Sequence, residues 1–161
     1  MERRGAASDP RRPWSSAGRT STLGPEQSFF GRFDHALDSK GRLILPSRIR
    51  SRLGSRCFLT PHVEGCVAIW TPETFQAEID SRAAAAVDTW SRNEVREWCS
   101  AIDEIEIDSQ GRILIAADLR SYADLEREVV IVGVIDHVEL WSPVQWGAKA
   151  HAPVGAAASG A

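Results

Sequence analysis

Short apolar bursts run along this chain between clusters of Gly, Pro, Ser and Asp, and their spacing predicts the elements. Phe33 to Leu37 reads as a strand and Arg42 to Leu45 as its partner. The turn Ser39-Lys40-Gly41 joins them, and Gly41 can take positive φ there at no steric cost. Pro46 suits the first position of a helix that carries Ile49 and Leu53 on one face, and Gly54 stops it. Cys57 to Thr60 and Cys66 to Trp70 follow as strands joined around Pro61 and Gly65. Thr71-Pro72-Glu73 opens a helix with an N-cap hydroxyl, a proline at the first position and an acid in the first turn. It should run into the Ala83–Ala86 block. Ser91 and Glu94 form the capping box of another helix, with Trp90 and Val95 as its hydrophobic staple, ending near Ser100.

The same order then recurs. Ile105 and Ile107 alternate with Glu104 and Glu106, a turn spans Asp108 to Gly111, and a strand runs from Arg112 to Ile115. A helix is expected from about Ala117 to Leu125. The β-branched run Val129 to Ile135 predicts a strand covered on both faces, with Val138 to Trp141 beside it. Ser142-Pro143-Val144-Gln145 opens a last helix with another capping box, and no pattern follows from Gly147.

The recurrence is also literal. DSKGRLILPSRIR at Asp38–Arg50 returns as DSQGRILIAADLR at Asp108–Arg120, and Trp70-Thr71-Pro72 is echoed by Trp141-Ser142-Pro143. Each unit, β-turn-β-helix-β-β-helix of roughly 45 residues, is too small to supply a stable core alone. Two units clasped about a pseudo-twofold axis, with strands interleaved, solve that problem within one chain. The expected organisation is an arm at 1–28, a first repeat at 29–75, a helical linker at 76–101, a second repeat at 102–147 and a tail at 148–161. The arm is rich in Arg, Ser, Gly, Ala and Pro, a composition that favours disorder.

Composition narrows the picture little. The chain has 161 residues, 43% of them apolar, and a formal charge of −3. No apolar run approaches the ~20 residues that span a bilayer, and no apolar stretch follows the basic start as in a signal peptide. Cys57, Cys66 and Cys99 form no CxxC pair, which fits a reducing cytoplasm. Charge distribution says more. Between Ser39 and Thr60 stand Lys40, Arg42, Arg48, Arg50, Arg52 and Arg56 with no carboxylate, whereas Asp103 to Glu128 holds three arginines against eight carboxylates. That asymmetry points to a basic, polyanion-facing surface on the first repeat.

With these motifs in view the chain resembles the MraZ family of transcriptional regulators. The resemblance rests on Phe29-Phe30-Gly31, on the doubled D-x-x-x-R at Asp38/Arg42 and Asp108/Arg112, on Leu119-Arg120-Ser121-Tyr122-Ala123, on V-x-x-V-G-V in the second repeat, and on Glu139-Leu140-Trp141. It covers about residues 29 to 147. It implies an α+β, β-rich fold of two pseudo-symmetric AbrB-like swapped-hairpin β-barrel halves with short helices. It also implies a ring-shaped homo-oligomer on double-stranded DNA, binding direct repeats upstream of the division and cell-wall gene cluster, and so a nucleoid-associated cytoplasmic protein. The family's DNA-contacting position is the first motif's Arg42. The chain departs from the family at Ala116, where a proline matching Pro46 is common, in its longer arm and in its acidic second repeat.

The residues themselves support a reading head. Asp38, Gly41, Asp108, Gly111 and Arg112 are read as turn-forming and ion-paired, since an Asp opening a turn accepts backbone N–H groups and an Arg across the hairpin pairs with it. Lys40 and Arg42, with Arg48, Arg50 and Arg52 on the following helix, are the candidate DNA contacts, the Arg fork suiting phosphate or a guanine edge. An acid hydrolase with paired aspartates is the rival from another class; an arginine four residues on favours an ionised carboxylate and works against it. An antitoxin-like protein-binding module is the alternative, with Trp90 and Val95 as its test positions. His35, His62, His137 and His151 have no metal-site spacing, so neither metal nor cofactor is expected.

Overall fold

The computed structural model describes residues 23–85 and 92–150. Most of the arm, the cap and staple positions Ser91 and Trp90, and most of the tail lie outside the described residues.

The duplicated order read from the sequence is the order observed. The first repeat supplies β1 (Arg32–Ala36), β2 (Arg42–Ile44), α1 (Ser47–Leu53), β3 (Arg56–Pro61), β4 (Val67–Trp70) and α2 (Pro72–Ala85). After α3 (Arg92–Ser100), the second supplies β5 (Asp103–Glu106), β6 (Arg112–Leu114), α4 (Ala117–Tyr122), β7 (Glu128–Val134), β8 (His137–Trp141) and α5 (Pro143–Ala150).

Six strands form one antiparallel sheet in the order β1-β7-β8-β4-β3-β5, and β2 pairs with β6 in a separate ribbon. Exchanging each strand for its counterpart in the other repeat turns this order into its own reverse. The pseudo-twofold axis therefore passes between β4 and β8 and again through the Leu43–Ile113 pair of the ribbon. Each repeat's first strand pairs with the other repeat's third, β1 with β7 and β5 with β3, so neither repeat completes a sheet alone. The ribbon joins the two edge strands through the hairpin turns, where Asp38 N–H donates to the Arg42 carbonyl (2.9 Å) and Asp108 N–H to that of Arg112 (3.0 Å). The result is an α+β, β-rich fold.

One core serves both repeats. Leu43, Leu45, Ile49, Leu53, Leu59 and Ile69 from the first pack with Ile113, Ile115, Leu119, Val129, Ile131 and Leu140 from the second, all buried. Period two in the strands and the i, i+4 spacing of Ile49 and Leu53 place these side chains on the inner faces. Val129, Val130 and Ile131 are buried in succession, as a strand covered on both faces requires.

Several boundaries differ from expectation. The helix expected to reach Leu125 ends at Tyr122, because Asp124 takes a left-handed φ of 53° and Leu125 N–H turns back to the Arg120 carbonyl at 2.8 Å. The last helix continues to Ala150 beyond Gly147. Its capping box is half made: Ser142 Oγ accepts the Gln145 N–H, but the Gln145 amide reaches Asp124 (2.8 Å) instead of folding back. Pro46 is the N-cap of α1, with ψ 142°, so the helix begins one residue later than expected.

Gly133 marks a close approach of backbone to backbone. β7 passes there directly under Phe29 and Phe30, and a Cβ on Gly133 would overlap their backbone atoms. Gly133→Ala should cost about 1–3 kcal/mol, the usual penalty of overpacking. Urea unfolding should show an earlier midpoint at an unchanged slope.

Candidate nucleic-acid interface

Each D-x-x-x-R motif builds the same small device. In the first turn Asp38 Oδ1 accepts the N–H groups of Lys40 and Arg42, both at 2.9 Å, and Oδ2 accepts Arg42 Nε–H at 2.8 Å. Gly41 N–H donates to the Asp38 carbonyl at 3.0 Å, with Gly41 at φ 81°. In the second turn Asp108 Oδ1 accepts Gln110 and Arg112 N–H at 2.9 Å and Oδ2 accepts Arg112 Nε–H at 2.8 Å, with Gly111 at φ 78°. An Asp opening a turn whose fourth residue needs positive φ accounts for both, since the carboxylate satisfies donors that the tight bend leaves unpaired.

These bonds shift the carboxyl groups. The Arg42 backbone N–H, opposed by partial desolvation and joined by the Arg42 side chain and Lys40 N–H, holds Asp38 below the usual carboxylate range. Asp108 is lowered in the same way by Arg112 and Gln110. Each aspartate is an ionised acceptor with its own arginine, an arrangement suited to fixing a guanidinium and not to sharing a proton.

What the sequence does not reveal is that each turn is clasped from the opposite repeat. Leu45 N–H donates to the Gly111 carbonyl (2.9 Å) and Ile115 N–H to the Gly41 carbonyl (3.0 Å). The Arg120 guanidinium lies on Gly41, so close that an added Cβ would stand 2.9 Å from its Cζ, and Arg50 lies on Gly111 closer still. Arg50 and Arg120 are the matched final arginines of the two motifs, which was the available signal for Arg120. The basic helix of the first repeat therefore leans on the second repeat's turn.

The remaining candidates separate. Lys40 is exposed at the tip of its turn, and Arg42 stands half-exposed with Nε committed to Asp38. Arg48 is exposed beside Gly31, whereas Arg52 donates to the Ser28 carbonyl, holding the segment ahead of β1. The ribbon's outer face was also missed: Ile44 and Leu114 are each 54% exposed and lie opposite Arg112 and Arg42. An arginine thus stands opposite an aliphatic twice on that face.

Cys57 and Cys66 are buried and not reactive thiols. Burial pushes the Cys57 thiol up to about 12, and Cys66 is likewise raised by burial.

The lowered carboxyl pKa values fix a pH dependence. A carboxylate whose folded pKa lies below its unfolded one contributes stability fully present above the unfolded value and lost as pH falls through the folded value. Carboxyl-carbon NMR titration should place the Asp38 and Asp108 midpoints below the ordinary 3.8. Both turns should loosen only at more acidic pH. Midpoints at or above the ordinary value would mean the Asp–Arg bonds are absent.

Comparison with known proteins identifies the family. The profile of the family described as "MraZ protein, putative antitoxin-like" matches residues 28–93 and 100–151. A protein of Lactiplantibacillus plantarum named transcriptional regulator MraZ is 44% identical over 121 residues, 73% of this chain and 84% of that protein. Proteins of the same name from Nocardioides sp. and Alkaliphilus metalliredigens are 41% and 40% identical over 120 residues, each spanning 74% of this chain and 83% and 84% of their own lengths. Both D-x-x-x-R turns, the ribbon and the E-L-W strand fall within the matched residues, and the chain belongs to the MraZ family.

Proposed function

We propose that this chain is a transcriptional regulator that binds double-stranded DNA with its paired Asp–Arg turns, the Asp38–Arg42 turn leading. The observation that carries the proposal is the cationic cluster at that turn: exposed Lys40, half-exposed Arg42 held in place through Nε, and Arg120 brought onto Gly41 from the other repeat. With Nε bonded to Asp38, the Nη groups of Arg42 are the donors that meet a phosphate or the N7/O6 edge of guanine. The second turn carries Arg112 and Arg50 but Gln110 in place of Lys40, and forms a weaker second tip. Arg48 adds a phosphate contact beside the first repeat. Arg52, tied to Ser28, serves the fold.

The names of the relatives support regulation of transcription. The family resemblance supports the finer reading: a ring-shaped homo-oligomer on direct repeats upstream of its own division and cell-wall gene cluster. A single hairpin contact is weak, and repetition around a ring adds avidity by effective concentration when DNA sites match the subunit spacing. The exposed Phe30 and Ile135, brought together by the Phe29–Ile135 bridge, supply apolar surface for contact between copies.

The test is binding to DNA from upstream of the chain's own gene across a salt series. Arg42→Ala should weaken specific binding about tenfold to hundredfold, the usual worth of a base-contacting arginine. It should cost more than Arg112→Ala. Lys40→Ala should lower the log–log salt slope by about 0.9, one phosphate contact, on every sequence alike. A tandem array should bind far more tightly than one isolated repeat. Equal affinity for unrelated DNA, or an Arg42→Ala variant that is folded and binds as wild type, would remove the operator reading.

A further inference from the structure

The β3–β4 hairpin, away from the Asp–Arg turns, gathers a second set of side chains with a chemistry of its own. His62 follows β3 and Cys66 precedes β4, and the hairpin holds them opposite one another: His62 N–H donates to the Cys66 carbonyl and Gly65 N–H to the His62 carbonyl, both at 2.9 Å. Glu139 enters from the neighbouring strand β8, where it pairs with Ala68 of β4. One donor atom from each of His62, Cys66 and Glu139 lies within 4.8 Å of the other two. The β3–β4 loop, closed by backbone hydrogen bonds, and the strand β8 therefore bring an imidazole, a thiol and a carboxylate to one place.

The surroundings resemble those of a ligand set held in position. Glu139 Oε1 accepts Trp141 Nε1–H at 3.0 Å, and Oε2 meets His137 Nε2 at 2.9 Å. His137 Nδ1 is in turn bonded to Asp136 at 2.7 Å. The His137 ring is stacked on Trp70 (4.5 Å), which limits its rotation, and lies nearly parallel to His62 (5.8 Å). Tyr122 from α4 donates to the His62 carbonyl. Metal sites depend on outer bonds of this kind to orient their ligands. Cys66 is fully buried, whereas His62 and Glu139 are only partly so, leaving an approach from solvent on their side.

We propose that His62, Cys66 and Glu139 bind a borderline-soft divalent cation of the zinc type, joining the first repeat's hairpin to the second repeat's central strand. The donor set selects the ion. Magnesium and calcium prefer oxygen alone, whereas nitrogen, sulfur and carboxylate oxygen together suit zinc or cobalt in a tetrahedral site. Tetrahedral bonds of about 2.0–2.3 Å bring donors to about 3.2–3.7 Å from each other, so the side chains close in by about an ångström through rotation. On binding, the Cys66 thiol gives its proton to the buffer and the thiolate bonds the ion. Water fills the fourth position. This site is independent of the DNA-binding reading and stands or falls without it.

The test is Co(II) titration of the full chain, stripped of metal by chelation and kept reduced. One equivalent should bind, with a near-ultraviolet thiolate-to-cobalt band and visible bands of tetrahedral intensity, both abolished by added Zn(II). Cys66→Ser should remove the thiolate band and His62→Ala should weaken binding at least tenfold, while Cys99→Ser, at the exposed cysteine, should change neither. Zn(II) should raise the melting temperature of wild type and not of His62→Ala. The partly exposed His62→Ala variant decides the matter alone should Cys66→Ser not fold. Absence of the band in wild type, its survival in Cys66→Ser, its loss in Cys99→Ser, or unchanged affinity in His62→Ala would each overturn the proposal.

Discussion

Neither repeat in this chain holds its own turn alone. The Gly41 carbonyl is bonded by Ile115 and its α-carbon covered by Arg120, both from the second repeat, while Gly111 is bonded by Leu45 and covered by Arg50 from the first. The same exchange governs the sheet, where β1 finds its partner in β7 and β3 in β5. A unit of roughly 45 residues exposes too much of its surface to be stable by itself. Interleaving lets the buried Leu43 and Ile113 lie back to back on the pseudo-axis and gives both halves one core. Folding and placement of the two Asp–Arg turns are thereby one event: a half-folded chain lacks the contacts that clasp either turn.

Symmetry of the backbone coexists with asymmetry of charge. The two turns match in their hydrogen bonds to within 0.1 Å. They differ in what surrounds them. Gln110 stands in the second repeat where Lys40 stands in the first, and α4, which carries Asp118, corresponds to the arginine-rich α1. Because each helix lies on the opposite turn, the charge of α1 is delivered partly to Asp108–Arg112 through Arg50, and the first turn receives Arg120 in return. The strong imbalance along the sequence is therefore partly levelled in space, which the linear charge count does not convey.

The repeated pattern made the elements legible, since period two and the i, i+4 spacing read directly onto strands and α1. It also made both Asp–Arg turns legible, because an Asp with a Gly three places on has few other uses. Helix ends were less so: Asp124 adopts positive φ where tertiary contacts bring Leu125 into the core, a constraint that local propensity does not contain. The crossing of Arg50 and Arg120 required the pseudo-axis to be placed in space. The His62–Cys66–Glu139 group was hidden for the same reason. His and Cys are close in sequence, but the third member comes from a strand of the other repeat that only the β4–β8 pairing brings near.

The Asp38–Arg42 pair illustrates why such turns are worth building although they stabilise little. Both groups are about one-third exposed, so solvent screens the pair and it adds little to folding. Its value lies in restricting motion. An arginine loses up to about 2 kcal/mol of rotamer entropy when it is fixed, and a flexible arginine would meet that cost on binding DNA. Here Asp38 has already fixed Nε, the Gly41 bend is fixed by three backbone hydrogen bonds, and Arg120 fills the space beneath. The cost of order is met during folding by a shared hydrophobic core, and the half-exposed Arg42 guanidinium is held through its Nε.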